Sequence, residues 1–172
     1  MPLAKDDRGR NIAILPGIMF KNKQNIDWNA VEEYLRKYVG EIVTIADTKD
    51  TVYIGADFPD EYKGSIYTTH LKGAYAKAKA NAAQCIKEIL EIAVEKRFRE
   101  NFKTKHLVDA GKGWYYYTTR FAMPIYKNNE KTDICNVYSA RILINCNKFG
   151  KMYLYDLIDI KKEASTPLKT VD

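Results

Sequence analysis

Histidine is scarce in this chain, with only His70 and His106 among 172 residues. Any general acid or base working near neutral pH through an imidazole is therefore one of these two. Cysteine is scarce as well. Cys85, Cys135 and Cys146 are too few and too scattered for a disulfide framework, and none belongs to the close pair typical of a zinc site, so reduced and packed thiols are expected. No H-E-x-x-H and no G-x-x-x-x-G-K is present, and Gly111-Lys112-Gly113 reads only as a flexible link. The carboxylate pairs on offer are Asp60 with Glu61 and Asp156 with Asp159, and the second pair, three apart on a strand, points to opposite faces. No metal and no cofactor is expected. The N-terminal stretch from Met1 to Arg8 lacks the long apolar run that secretion or membrane insertion requires, so a cytoplasmic location without membrane contact is expected.

What the chain does carry is one domain's worth of sequence with 46% hydrophobic residues, 13 tyrosines and a net charge of +6 from 28 basic and 22 acidic side chains. Many tyrosines make the core smaller than the hydrophobic fraction suggests. The positive balance permits a polyanionic partner, and equally serves as a solubilising surface.

The expected architecture is α+β. An N-terminal subdomain, residues 1–57, begins with a loose arm of about ten residues before Ile12-Ala13-Ile14-Leu15. Asp27 then caps a helix over 28–38, where Trp28, Val31, Tyr34, Leu35 and Tyr38 recur at helical spacing and Gly40 supplies the stop. Residues 41–46 and 51–54 read as a hairpin around Asp47-Thr48-Lys49-Asp50. A loop over 57–64 leads into the second part, residues 58–172, expected to place two helices on one face of an antiparallel sheet. The first helix starts near Thr69 or Lys72, with Ala74, Ala78, Ala82, Ile86, Ile89 and Ala93 as its apolar stripe and Lys77, Lys79 and Lys87 elsewhere. The second, over 97–108, is basic through Lys96, Arg97, Arg99, Lys103 and Lys105. Strands over 114–126, 137–146 and 152–160 form a meander, and the tail from Lys161 leaves the sheet.

Strand alternation divides these residues between two faces. Phe121, Met123, Ile125, Ala140, Ile142, Ile144, Leu154, Ile158 and Ile160 form the expected core side. The other side presents Tyr116, Thr118, Arg120, Ser139, Arg141, Tyr153, Tyr155, Asp159 and Lys161. Tyrosine rings stack on unpaired bases and cations neutralise phosphates, so this face suits single-stranded RNA, while cross-strand Tyr/Arg pairing on a solvated sheet explains the same pattern without a ligand.

The segments Asp57-Phe58-Pro59-Asp60-Glu61-Tyr62, Ala76 to Ala83, Gly113-Trp114-Tyr115-Tyr116, Arg120-Phe121-Ala122, Tyr155-Asp156 and Asp159 to Glu163 together resemble a large polyvalent protein-associated domain of phages and integrative mobile elements. The likeness spans residues 57–168 and implies a genomic neighbourhood rather than an activity. Helices followed by an antiparallel sheet are also similar, in topology alone, to the barnase, EndoU, colicin and RelE-like ribonucleases. That likeness implies metal-independent cleavage of RNA, tRNA included, by the ribose 2′-hydroxyl, with His106 or Tyr116 moving protons and Arg120, Arg141 or Lys161 stabilising the phosphorane. Lys96, Arg97, Arg99, Lys103, Lys105, Tyr153 and Tyr155 are then the nucleic-acid-binding residues. The alternative from another class is a non-catalytic module binding nucleic acid, a host-defence protein or a cognate partner. Convergence of the cations on one phosphate-sized pocket, or their dispersal, discriminates the two.

Overall fold

The computed structural model describes residues 3–99 and 113–168, and mixed α+β architecture is what it shows. Eight strands form one mixed sheet in the order β1-β2-β6-β7-β8-β4-β3, with β5 also paired to β6. The strands are β1 Leu3–Lys5, β2 Asn11–Ile14, β3 Ile42–Thr44, β4 Thr51–Tyr53, β5 Val94–Arg99, β6 Gly113–Lys127, β7 Glu130–Cys146 and β8 Met152–Pro167. Residues on both sides of position 57 contribute to this sheet and to its main core. Most pairings are antiparallel, as the short connections require, but β2 joins β6 and β4 joins β8 in parallel.

Local chemistry accounts for the early elements. Asp27 caps α1, Trp28–Leu35, by accepting the Ala30 N–H, and a 3₁₀ turn, Arg36–Tyr38, continues the helix until Gly40 ends it with a φ of +92°. The β6–β7 turn places Asn128 and Asn129 both at positive φ, the two-residue geometry whose twist suits a hairpin. The first residues are not an arm: β1 pairs with β2, because Leu3 and Ala4 gain more by joining the sheet than by remaining solvated. At the other end the chain stays in the ladder beyond Lys161, with β8 paired to β7 as far as Pro167 opposite Ile134.

Helices α2, Phe58–Gly64, α3, Ile66–Thr69, α4, Gly73–Ala82, and α5, Ile86–Glu91, cover one face of the sheet. The segment expected as a loop is thus α2, started by Pro59 in its first turn and anchored by buried Phe58 and Tyr62. The alanine stripe needs correction as well. Ala74 is exposed, whereas Ala76, Ala78, Ala80, Ala82 and Ala83 are all buried, together with Lys79 and Asn81. A helix wrapped on nearly every side has no single apolar stripe, and its alanines let neighbours approach closely.

The basic helix expected from Arg97 does not begin there. Residues 94–99 form β5, an edge strand whose Arg97 and Arg99 lie opposite Tyr116 and Trp114. Free backbone groups along β6 decide the conformation, overriding a local sequence with no apolar period. Lys103, Lys105 and His106 lie outside the described residues.

On the helix-covered face Tyr117, Phe121, Tyr138, Ala140, Ile142, Ile144, Leu154 and Ile160 meet Leu35, Ile86, Ile89 and Leu90. Ile125 is only half-buried, and Ile158 is buried on the opposite face with Trp114 and Leu143. Shifts in the β7–β8 register, followed by Asp159 at φ +52°, put Leu157 into the main core in place of Ile158.

Candidate nucleic-acid face

Tyr116, Trp114, Thr118 and Arg120 alternate along β6 with the core residues, so all four belong to the outer face. The Tyr116 ring is bracketed by two guanidinium groups, with Arg99 5.9 Å and Arg141 6.0 Å from its centroid, and Arg99 also donates a hydrogen bond to its hydroxyl. Tyr116 rests on the Trp114, Leu143 and Ile158 cluster together with Tyr155, whose ring meets Trp114 edge-on at 4.8 Å. Stacking surface and positive charge therefore coincide here. Tyr67 of α3 adjoins this cluster, and its hydroxyl is pushed upward by burial and by the neighbouring Tyr116.

The remaining expected cations stand elsewhere. In the ladder Thr118, Arg141 and Ile158 form one row, and Arg120, Ser139 and Lys161 form another. Four residues of strand separate Tyr116 from Arg120, a distance of roughly 14 Å. Arg120 is also engaged: its Nε donates to Glu163 at 2.9 Å, and Arg10 approaches the same carboxylate at 3.8 Å. Arg141 pairs with Asp159 at 3.6 Å. Lys161 is exposed. The expected catalytic residues are thus spread along the face rather than gathered around one phosphate.

Of the expected binding residues, Arg97 and Arg99 are exposed on the edge strand, while Lys96 lies 3.0 Å from Asp50 and 4.4 Å over the Tyr115 ring. Burial would raise the Asp50 carboxyl, but hydrogen bonds from Thr48, Tyr117 and Lys96 outweigh it and hold the group below its ordinary value. Tyr153 is tilted against Tyr53 at 5.9 Å, with Lys151 4.1 Å over the Tyr53 ring and 5.4 Å over its own. Tyr153 and Tyr155 both line a cleft of about 340 Å³ that also receives Asp57, Glu61, Asn145 and Asn147.

Sequence reasoning missed one charged cluster entirely. Lys79 and Asp156 are each 0% exposed, with Nζ 2.6 Å from Oδ1. Lys79 also donates to Thr68, Ser65 donates to Asp156 Oδ2 at 2.6 Å, and the Leu157 N–H donates to Oδ1. Burial pushes Lys79 down and Asp156 up, and each charge opposes that effect on the other. This closed network ties α3 and α4 to β8. Its signal was the alanine on either side of Lys79 and the apolar neighbours of Asp156.

Among the described residues no three or more His, Cys, Asp or Glu side chains gather as metal ligands, and no helix is long and apolar enough to cross a membrane. No protein-family model, no curated protein and no solved structure matches the chain.

Proposed function

We propose that the outer sheet face binds single-stranded RNA and that the Arg99–Tyr116–Arg141 cluster is where the strand is cleaved without a metal ion. The observation that carries this is the half-buried tyrosine ring within about 6 Å of two guanidiniums, packed against the apolar cluster of Trp114, Leu143 and Ile158. A base stacks on such a surface, and the guanidiniums offer planar donors to its phosphate. In the reaction the ribose 2′-oxygen bonds to phosphorus as the P–O5′ bond breaks. A proton leaves the 2′-hydroxyl and one reaches the departing 5′-oxygen, giving a 2′,3′-cyclic phosphate. Tyr116 and His106 are the proton-transfer candidates, and Arg99 and Arg141 would stabilise charge developing on the phosphoryl oxygens. The origin in a phage or mobile element, and a role resembling the polyvalent protein-associated domains, belong to the same proposal.

Binding without cleavage is the second reading. It is favoured by the spread of Arg120, Arg141 and Lys161 over successive rows and by the carboxylates that already neutralise two of them. The test is incubation of the pure protein with total tRNA and mRNA in EDTA. Cyclic-phosphate ends that disappear in Tyr116→Phe and Arg99→Ala proteins support cleavage. Intact RNA that is nevertheless bound assigns the face to binding alone.

A further inference from the structure

The cleavage proposed above needs a group to take the 2′-hydroxyl proton, and His70 is placed and oriented for it. This exposed residue caps the C-terminal end of α3, with its Nδ1 2.8 Å from the Ile66 carbonyl oxygen. A carbonyl oxygen only accepts, so Nδ1 carries the hydrogen of that bond. Proton exchange is left to Nε2, which has no partner among the described residues. A ring held at one nitrogen and open at the other is the arrangement a proton-transfer group requires.

His70 lines a cleft of about 340 Å³ between α3 and β8, together with Ile66, Tyr67, Leu71, Ile158 and Asp159. Three of these residues also surround Tyr116. Ile158 packs in the same apolar cluster, Asp159 pairs with Arg141 at 3.6 Å, and the Tyr67 hydroxyl hydrogen-bonds Arg99. The cleft therefore opens beside the Arg99–Tyr116–Arg141 cluster. Asp159 is the one carboxylate in its lining, and Arg141 offsets that charge. Most of the remaining wall is aliphatic and open to solvent, with Ile66 65% and Tyr67 37% exposed, which suits the apolar faces of a ribose and its base. A nucleotide whose phosphate meets the two guanidiniums lies with its ribose in reach of His70.

We infer that His70 is the general base of the proposed cleavage, its Nε2 taking the 2′-hydroxyl proton of a nucleotide seated in the α3–β8 cleft. This rests on the cleavage reading of the outer face. The 2′-oxygen bonds to phosphorus as that proton passes to Nε2, and the P–O5′ bond breaks as the 5′-oxygen takes a proton from the Tyr116 hydroxyl. Water then accepts the proton from His70 and returns one to Tyr116.

The test measures cleavage of a fluorescent mixed-sequence RNA oligonucleotide in EDTA, with its 2′-O-methyl counterpart as the uncleavable ligand. In His70→Asn the side-chain amide can still donate to the Ile66 carbonyl. Melting temperature and RNA affinity should therefore match wild type while kcat falls at least about 100-fold, the low end of what a general base supplies. Free imidazole should restore part of the rate to His70→Ala. The imidazole proton resonance that is missing in His70→Asn should shift in wild type on titration with the 2′-O-methyl strand. Wild-type kcat in His70→Asn, or a resonance that stays put while the strand binds, overturns the role of His70 and leaves the cleavage reading standing. A rate loss accompanied by a lowered melting temperature and no imidazole rescue assigns His70 to capping α3 and overturns it as well. If the wild-type protein binds RNA without cutting it, the cleavage reading and the role of His70 fall together and the face remains a binding surface.

Discussion

Replacing Lys79 by methionine should cost this fold about 4 kcal/mol at pH 7, and much less near pH 4. Methionine fills most of the space of the lysine stem but removes the ammonium that lies 2.6 Å from both Asp156 and Thr68. Asp156 then keeps only the Ser65 hydroxyl and the Leu157 N–H in a fully buried site. Breaking a buried pair by removing one partner costs roughly 3–5 kcal/mol. The carboxyl can escape by taking up a proton. At pH 7, about three units above the reference value of 3.8, that costs about 4 kcal/mol at about 1.4 kcal/mol per unit. The two routes agree. Without the lysine, burial outweighs the lowering effect of the Ser65 and Leu157 hydrogen bonds and keeps the folded value of Asp156 raised. A raised group contributes stability that is present below the unfolded value and lost as pH rises through the folded one. Urea denaturation of wild type and Lys79→Met at pH 7 and pH 4 should therefore show a deficit that shrinks on acidification. Lys79→Met/Asp156→Leu should recover to within about 2 kcal/mol of wild type, as apolar replacements of buried pairs do. A single variant within about 1 kcal/mol of wild type at pH 7, or a deficit that grows toward pH 4, would refute the reasoning.

Gly113→Ala should destabilise by about 1–3 kcal/mol from the backbone alone, because φ is +113°, and by more because a Cβ would lie 2.8 Å from the Phe98 ring and 2.9 Å from the Arg99 carbonyl oxygen; chemical denaturation measures it. Asp50→Asn should flatten the fall in melting temperature on acidification below pH 4, since a carboxyl held below 3.8 contributes stability that is present above that value and lost as pH falls through its folded one. Ile142→Asp should cost more than about 4 kcal/mol or abolish folding, as it puts an unpaired charge at a core position 1% exposed. Reversing Arg97 and Arg99 to glutamate should weaken RNA binding for all sequences alike and reduce the slope of affinity against salt, measured by anisotropy between 50 and 200 mM salt.

The parts of the fold legible beforehand are those that local chemistry decides. Asp27 and Gly40 bound α1 because capping and helix termination involve nearby backbone, and the β3–β4 hairpin follows from β-branched runs around a polar turn. The long ladder of β6, β7 and β8 was readable by period-two alternation, which needs no knowledge of the partner strand. Where pairing is decided at a distance, the reading fails. Basic β5 becomes a strand only because β6 has an edge to fill, and the alternation slips at Ile158 because a register shift and a positive φ intervene. Lys79 looks like one more solvated lysine until Asp156, 77 residues away, closes on it.

The same division runs through the candidate face. That Tyr116, Arg120, Arg141 and Lys161 share a side of the sheet is a matter of parity along three strands, and the ladder places them so. Which of them remains available to a phosphate depends on carboxylates that parity says nothing about. Glu163 reaches Arg120 from 43 residues on, and Asp159 reaches Arg141 through the irregular part of β8. Arg99, read as part of a helix, instead stands beside Tyr116 because an edge strand carries it there. Centring the proposed chemistry on Arg99, Tyr116 and Arg141 follows from that exchange. Arg99, which pairing brought to the tyrosine, forms no ion pair among the described residues, and Arg141, although paired with Asp159, also lies 6.0 Å from the Tyr116 ring centroid, whereas Arg120 stands four positions along β6 and is held by Glu163.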